Sequence, residues 1–155
     1  MIQSVKGNLL EDPAEAYVNT VNTVGVMGKG IALQFKQAFP DVFKQYAKDC
    51  KKGLVEVGKM HNVQVEGLAA PKYVINFPTK EHWRNPSKLE YIQEGLQDLV
   101  RVVQDLKITS IALPPLGCGN GGLDWQVVRP LILEAFQPLD VEVHLYEPQG
   151  TTPDR

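Results

Sequence analysis

A chain of 155 residues, 43% of them hydrophobic, is long enough to bury one sizeable core as a single domain, and a formal net charge of -2 gives no global basic field for tight non-specific nucleic-acid binding. Its two cysteines, Cys50 and Cys118, form no CxxC pair and have no histidine at ligand spacing, which argues against a disulfide scaffold and against a zinc site. No apolar run reaches membrane-spanning length and the first seven residues lack the apolar core of a signal peptide, so a soluble, cytoplasmic protein is expected.

The first element is a short strand over Met1–Gly7, ending in the turn Gly7-Asn8. A connection through Pro13 leads to a second strand, Ala16–Asn22, and then to a glycine-rich turn from Gly25 to Gly30. Ile31, Leu33, Phe35, Ala38 and Phe39 recur at helical spacing until Pro40, and a second helix covers Asp41–Lys52, with a basic last turn before Gly53. Val55–Val65 reads as a strand bent near Gly58 or His61, and Lys72–Phe77 as a buried strand. After the polar loop Pro78–Pro86, Asn85 and Pro86 have the chemistry of an N-cap and first helical residue for a long helix to Leu106, with Leu89, Ile92, Leu96, Leu99, Val100, Val103 and Leu106 on one face. Strand Ile108–Leu113, helix Trp125–Phe136 (interrupted by Pro130, which should bend it) and strand Val141–Tyr146 follow. Residues 148–155 form a polar, frayed tail outside a domain of residues 1–147. Strands alternating with helices predict an α/β fold, a three-layer α/β/α sandwich around a mixed sheet of about six strands.

Two loops stand out. Gly117, Gly119, Gly121 and Gly122 fall within six residues between the strand ending at Leu113 and the helix that Asp124 can cap. Glycines at this density let successive backbone N–H groups point at one anion, so a phosphate can be held without a basic side chain. The Gly25–Gly30 turn also follows a strand and opens a helix. Both loops therefore belong at one rim of the sheet, where two anion cradles suit a diphosphate. A P-loop nucleotidase is disfavoured, since no GxxxxGK[ST] spacing occurs and Gly25-Val-Met-Gly-Lys29 lacks the trailing hydroxyl residue.

With Val18-Asn-Thr-Val-Asn22, then Gly25-Val-Met-Gly-Lys-Gly-Ile31, then Leu113-Pro-Pro-Leu-Gly-Cys-Gly119, the chain resembles the macro domains, the ADP-ribose-binding family, over nearly its whole length from Gln3 to about Tyr146. Pro78–Arg84 and the Gly117-Cys118-Gly119 loop lean toward the branch of glycohydrolases that remove ADP-ribose from DNA and reverse a DNA-modifying toxin. The resemblance implies that Asn22 holds the hydroxyls of the distal ribose, its amide able to donate and accept there. Gly28, Lys29, Gly30 and Ile31 would wrap that ribose and a phosphate, and Leu116, Gly117, Cys118, Gly119, Asn120, Gly121 and Gly122 would hold the diphosphate through backbone amides. Asn8 stands where macro domains commonly place an adenine-binding Asp; Leu9 and Tyr146 would flank the adenine, although Leu9 taken alone reads as core.

The chemistry then rests on Lys80, since lysine-using members of this branch carry their catalytic lysine after the corresponding strand. A neutral Lys80 could attack ribose C1″, or its ammonium could stabilise a leaving thymine while water attacks. Thr79, His82, Trp83 and Arg84 are candidate DNA contacts, Trp83 stacking on a base; the competing reading packs Trp83 beneath the loop and pairs Arg84 with Glu81. Asp124 is the nearest acid to the glycine loop and can cap the following helix, so a Lys–Asp catalytic pair is not secured. The expected activity is removal of ADP-ribose from thymine in single-stranded DNA, with no metal or redox cofactor and a cognate toxin as a possible partner. Its rivals are hydrolysis of glutamate-linked protein ADP-ribose and a non-catalytic ADP-ribose reader.

Overall fold

The computed structural model describes residues 1–67, 69–119 and 121–148. Its elements are β1 (Ile2–Val5), β2 (Ala16–Val21), α1 (Gly30–Ala38), α2 (Pro40–Lys51), β3 (His61–Gln64), β4 (Tyr73–Pro78), α3 (Leu89–Asp105), β5 (Ser110–Leu113), α4 (Trp125–Phe136) and β6 (Glu142–Tyr146). A single turn of 3-10 helix covers Leu9–Glu11. The strands form one sheet in the order β1-β6-β5-β2-β4-β3. Every pairing is parallel except β3 with β4, so the sheet is mixed, as the alternation of elements predicted.

The central strands are buried on both faces, which is why β2 and β4 read as near-continuous runs rather than as alternating patterns. Side chains alternate across the sheet. Ala16, Val18, Ile75, Phe77, Ile111 and Leu113 belong to the core with Ile92, Leu96 and Leu99 of α3 and Val128 and Ile132 of α4. On the opposite face Tyr17, Val74 and Ala112 pack with Phe35 of α1 and Val42 of α2. Gly95 lets α3 sit on the Phe77 ring, since a Cβ there would run into it. The expected three layers are therefore present.

This layering decides where a ligand can enter. β2 and β5 are neighbours, yet the helix after β2 lies on one face and the helix after β5 on the other. The two connections diverge at the C-terminal ends of the strands and leave a crevice between them, the topological switch point of an open α/β sheet.

Several local expectations change. The predicted strand Val55–Val65 shrinks to His61–Gln64, because Gly58 takes φ 85° and turns the preceding segment. The long helix starts at Leu89 with Lys88 as its cap, three residues after Pro86. Ser87 spends its amide on Gly121 O (3.0 Å), and this tie to the glycine loop keeps Asn85 and Pro86 outside the helix. Leu106 caps that helix half-exposed rather than joining its buried face. Pro40 does more than end α1: it is the first residue of α2, where its missing N–H would have had no partner. α4 runs through Pro130 as one helix, and the frayed-tail reading of residues 149–155 lies outside the described residues.

Candidate active site at the crevice

Three loops leave the C-terminal ends of adjacent strands: residues 22–29 after β2, 79–88 after β4 and 114–124 after β5. Val21 and Pro78 pair at the ends of β2 and β4, so the first two loops start side by side. They are laced together by Thr79 N donating to Val21 O (2.9 Å) and by Thr23, whose N and Oγ1 both donate to Glu81 O (3.1 and 2.8 Å). Tyr91 Oη donates to Glu81 Oε1 at 3.2 Å, pinning the same residue from α3.

Asn22 is buried, and its side chain is almost fully spent on its own turn. Oδ1 accepts from Val24 N (3.1 Å), Val26 N (3.3 Å) and Tyr46 Oη (2.8 Å), while Nδ2 donates to Val26 O (2.8 Å). Flipping the amide would set its NH2 against three donors. One N–H remains. The expectation that Asn22 both donates to and accepts from a ligand is therefore corrected: it can offer donation alone.

Lys80 is half-buried at the end of β4, with Nζ donating to Trp83 O at 3.3 Å. Burial holds its pKa below the ordinary lysine value, and the positive charge of Lys29 from the β2 loop lowers it further. The sequence separation of these two lysines hides their proximity, which the pairing of β2 with β4 creates.

The glycine loop is packed from below. Leu116 is fully buried, so of the expected diphosphate-binding residues it can offer only main chain. Gly117 takes φ 73° and Gly122 φ 80°. A Cβ on Gly117 would lie 2.8 Å from Leu123 and 3.2 Å from Ile92, which explains glycine there. Cys118, Gly122 and Leu123 donate their amides to Pro115, Gly119 and Gly117 within the loop. The amides of Gly117, Gly119 and Gly121 donate to no backbone oxygen of a described residue, which suits them to an anion. Cys118 Sγ donates to Leu116 O (3.4 Å), and burial first, then the Asp124 charge, pushes its thiol up to about 11, so it is no nucleophile at neutral pH. Asn120 lies outside the described residues. Asp124 caps α4, accepting from Gln126 N at 2.9 Å. Across the crevice Gly28, Lys29 and Gly30 are exposed, and α1 begins at Gly30 with no side-chain cap, leaving its first amides for another acceptor.

At the β1 and β6 edge, Asn8 Oδ1 accepts from Leu10 N (3.0 Å) and caps the 3-10 helix. Leu9 is core at 3% exposure, which removes it from the expected adenine-flanking pair. Tyr146 donates to Asp12 Oδ2 (2.6 Å), a carboxylate that also takes His144 Nδ1 and Ala14 N, so its ring is held in place; burial raises its phenol pKa.

The candidate DNA contacts separate. Thr79 is 3% exposed and cannot present its side chain to a polymer, because its strand-end position faces the interior. Trp83 is 42% exposed, which rejects the reading that buries it under the loop. The Arg84 guanidinium lies 4.6 Å from the Trp83 ring centre, where Arg84 was alternatively expected to pair with Glu81. His82 packs 5.1 Å from the same ring and accepts the Arg84 amide at 3.1 Å. Val24 and Val26 are exposed on the adjoining loop. Two residues of this region were not singled out from sequence: Tyr46 looked like one more core-facing position of the second helix, and Ser87 fell in the first turn of the expected long helix. Neither carries a signal that a linear pattern could reveal.

Comparison with known proteins agrees with this geometry. The family model described as Macro domain matches residues 18–132. A protein of Thermus aquaticus named DNA ADP-ribosyl glycohydrolase is 58% identical over 149 residues, covering 96% of this chain but 41% of the relative, so the chain spans less than half of that protein. The solved macrodomain of Mycobacterium tuberculosis DarG is 57% identical and superposes with a TM-score of 0.95 over 96% of this chain and 99% of that one. Thermosipho africanus DarTG in complex with ADP-ribose is 37% identical with a TM-score of 0.92, covering 99% of this chain and 43% of that one.

Proposed function

The chain belongs to the macro domain family, and from that premise we propose that it is a glycohydrolase that releases ADP-ribose from single-stranded DNA, thymine being the modified base, and so reverses the action of a DNA-modifying toxin. The observation that carries this reading is Lys80: a half-buried amine with a lowered pKa, held at the rim of the crevice that the glycine loop and the uncapped start of α1 enclose. The names of the similar proteins, and the ADP-ribose bound to one of them, support it.

In this reading the diphosphate lies on the amides of Gly117, Gly119 and Gly121 and at the start of α1, and the distal ribose under residues 22–31 receives the remaining N–H of Asn22. Tyr146 flanks the adenine, and Asn8 offers the second lone pair of its amide oxygen there. Neutral Lys80 Nζ forms a bond to C1″ as the bond from C1″ to the thymine nitrogen breaks. The base leaves with that electron pair and gains a proton, and the attacking amine loses one. Water then cleaves the lysine adduct, restoring the amine and releasing ADP-ribose. Trp83, with Arg84 and His82 against its ring, meets the bases and phosphates next to the modified nucleotide. Because the base itself is left intact, the reaction repairs DNA without excision. The toxin that makes the modification is the natural partner, and the reaction belongs in the cytoplasm, where chromosomal DNA is replicated in cells lacking a nucleus.

The test incubates wild type and Lys80→Ala with single-stranded DNA carrying ADP-ribose on thymine and, in parallel, with a glutamate-ADP-ribosylated protein, reading released ADP-ribose by mass. Lysine-dependent release from the DNA is expected. Release from the protein alone moves the activity to glutamate esters; ADP-ribose binding with no release from either makes the chain a reader. Borohydride under turnover should trap a lysine–sugar adduct, and failure to do so assigns Lys80 the charge-stabilising role.

A further inference from the structure

A fully buried polar contact to the crevice comes from a residue outside it. Tyr46 of α2 is fully buried, and its hydroxyl reaches both Asn22 O and Asn22 Oδ1 at 2.8 Å. The same face of α2 supports the rest of the turn: Gly25, at φ 88°, lies so close to the helix that an added Cβ would sit 3.5 Å from Cys50 Cβ and 3.6 Å from Ala47 Cα. Burial raises the Tyr46 pKa far above its ordinary value, so the phenol stays protonated and is a permanent donor. With the hydroxyl proton, shared between Asn22 O and Oδ1, and two backbone N–H groups meeting Oδ1 while Nδ2 donates to Val26 O, the amide of Asn22 has one stable orientation and one N–H left over.

We propose that Tyr46 is a positioning residue for the distal-ribose subsite: it fixes the Asn22 amide so that the subsite recognises a ribose hydroxyl through donation alone. This rests on the distal-ribose assignment made under Proposed function. α2 is thereby more than a core helix. It is the template on which the ribose turn is shaped, whereas the adenosine half of the ligand lies at the β1 and β6 edge, where Tyr46 makes no hydrogen bond.

That division supplies the test. ADP-ribose and ADP share the adenosine and diphosphate but only the first carries the distal ribose. Calorimetric titration of both ligands into wild type, Tyr46→Phe, Asn22→Ala and the double variant, with each variant's Tm recorded, separates positioning from general support. Tyr46→Phe should weaken ADP-ribose about tenfold, the loss of one buried hydrogen bond, and leave ADP unchanged. The double variant should bind no worse than Asn22→Ala, because the two residues act as one unit. Asn22→Asp keeps an acceptor for all three donors while removing both N–H groups, the one that donates to Val26 O included, so it should lose ADP-ribose affinity while ADP affinity, read in parallel, reports whether the damage stays within the ribose turn; it serves as the readout should Tyr46→Phe fold poorly. Tyr46→Phe binding ADP-ribose like wild type, or losing ADP and ADP-ribose equally, overturns the proposal, as does unaltered ADP-ribose affinity in Asn22→Asp. A wild type that fails to distinguish ADP-ribose from ADP refutes the distal-ribose assignment instead.

Discussion

Replacing Gly121 with alanine tests whether the glycine loop is a packed cradle or a slack connector. An added Cβ would sit 2.5 Å from Gly117 O and 2.9 Å from Ser87 Cβ, and would run into Ser87 Oγ. The serine can rotate, but Gly117 O is main chain, fixed by the bond it accepts from Leu123 N at 2.9 Å. The loop must therefore shift. Overpacking of this kind costs about 1–3 kcal/mol, and at this chain length each kcal/mol lowers Tm by about 2–4 °C. The same shift moves the amides of Gly117 and Gly119, so ADP-ribose affinity should fall at least about tenfold, one hydrogen bond to a charged group. Gly119→Ala is the control: its Cβ meets nothing within 4 Å, so its stability should stay within about 0.5 kcal/mol of wild type and its Tm within about 2 °C. Ser87→Gly in the Gly121→Ala background should recover part of the lost stability, the carbonyl clash remaining. Scanning calorimetry and titration with ADP-ribose read both effects. Gly121→Ala matching Gly119→Ala in Tm and affinity would refute the packed cradle.

Three further outcomes are expected. Lys29→Gln removes a positive neighbour and so raises the Lys80 pKa toward its ordinary value; since the attacking form is neutral, kcat rises with pH and that rise should move to higher pH. A falling limb displaced upward would instead mark the ammonium as the working form. Asp124→Ala should cost about 1 kcal/mol through its lost cap and leave kcat intact, whereas a collapse of kcat would make Asp124 the acidic partner of Lys80. Trp83→Ala should slow release from modified oligonucleotides at least about tenfold, the stacking of one base, with ADP-ribose affinity unchanged; equal rates on oligonucleotides would remove Trp83 from the DNA path.

Much of the layout was legible because its causes are local. Ala16–Asn22 could be read as a strand, the apolar run of β4 as a buried strand and the heptad-like spacing of α3 as one face of a helix, since each depends on neighbours in sequence. The same locality explains the misreadings. Asn85-Pro86 has the chemistry of a helix start, but Ser87 is recruited by Gly121, which no local propensity can report. Val55–Val65 has strand composition, but only four of its residues find β4 to pair with.

The sequence by itself determined where the glycine-rich loops, Asn22 and Lys80 stand and in which order they follow strands; that is chemistry written at fixed spacing. The tertiary structure decided what those groups can do. Lys80 has a lowered pKa because packing half-buries it and β2 brings Lys29 near it, the Asn22 oxygen is already filled by Tyr46 from α2 and by its own turn, and Leu9, Leu116 and Thr79 lose their side chains to the interior. Each of these depends on residues far apart in the chain, and burial and long-range pairing are properties of the packed molecule rather than of any stretch within it.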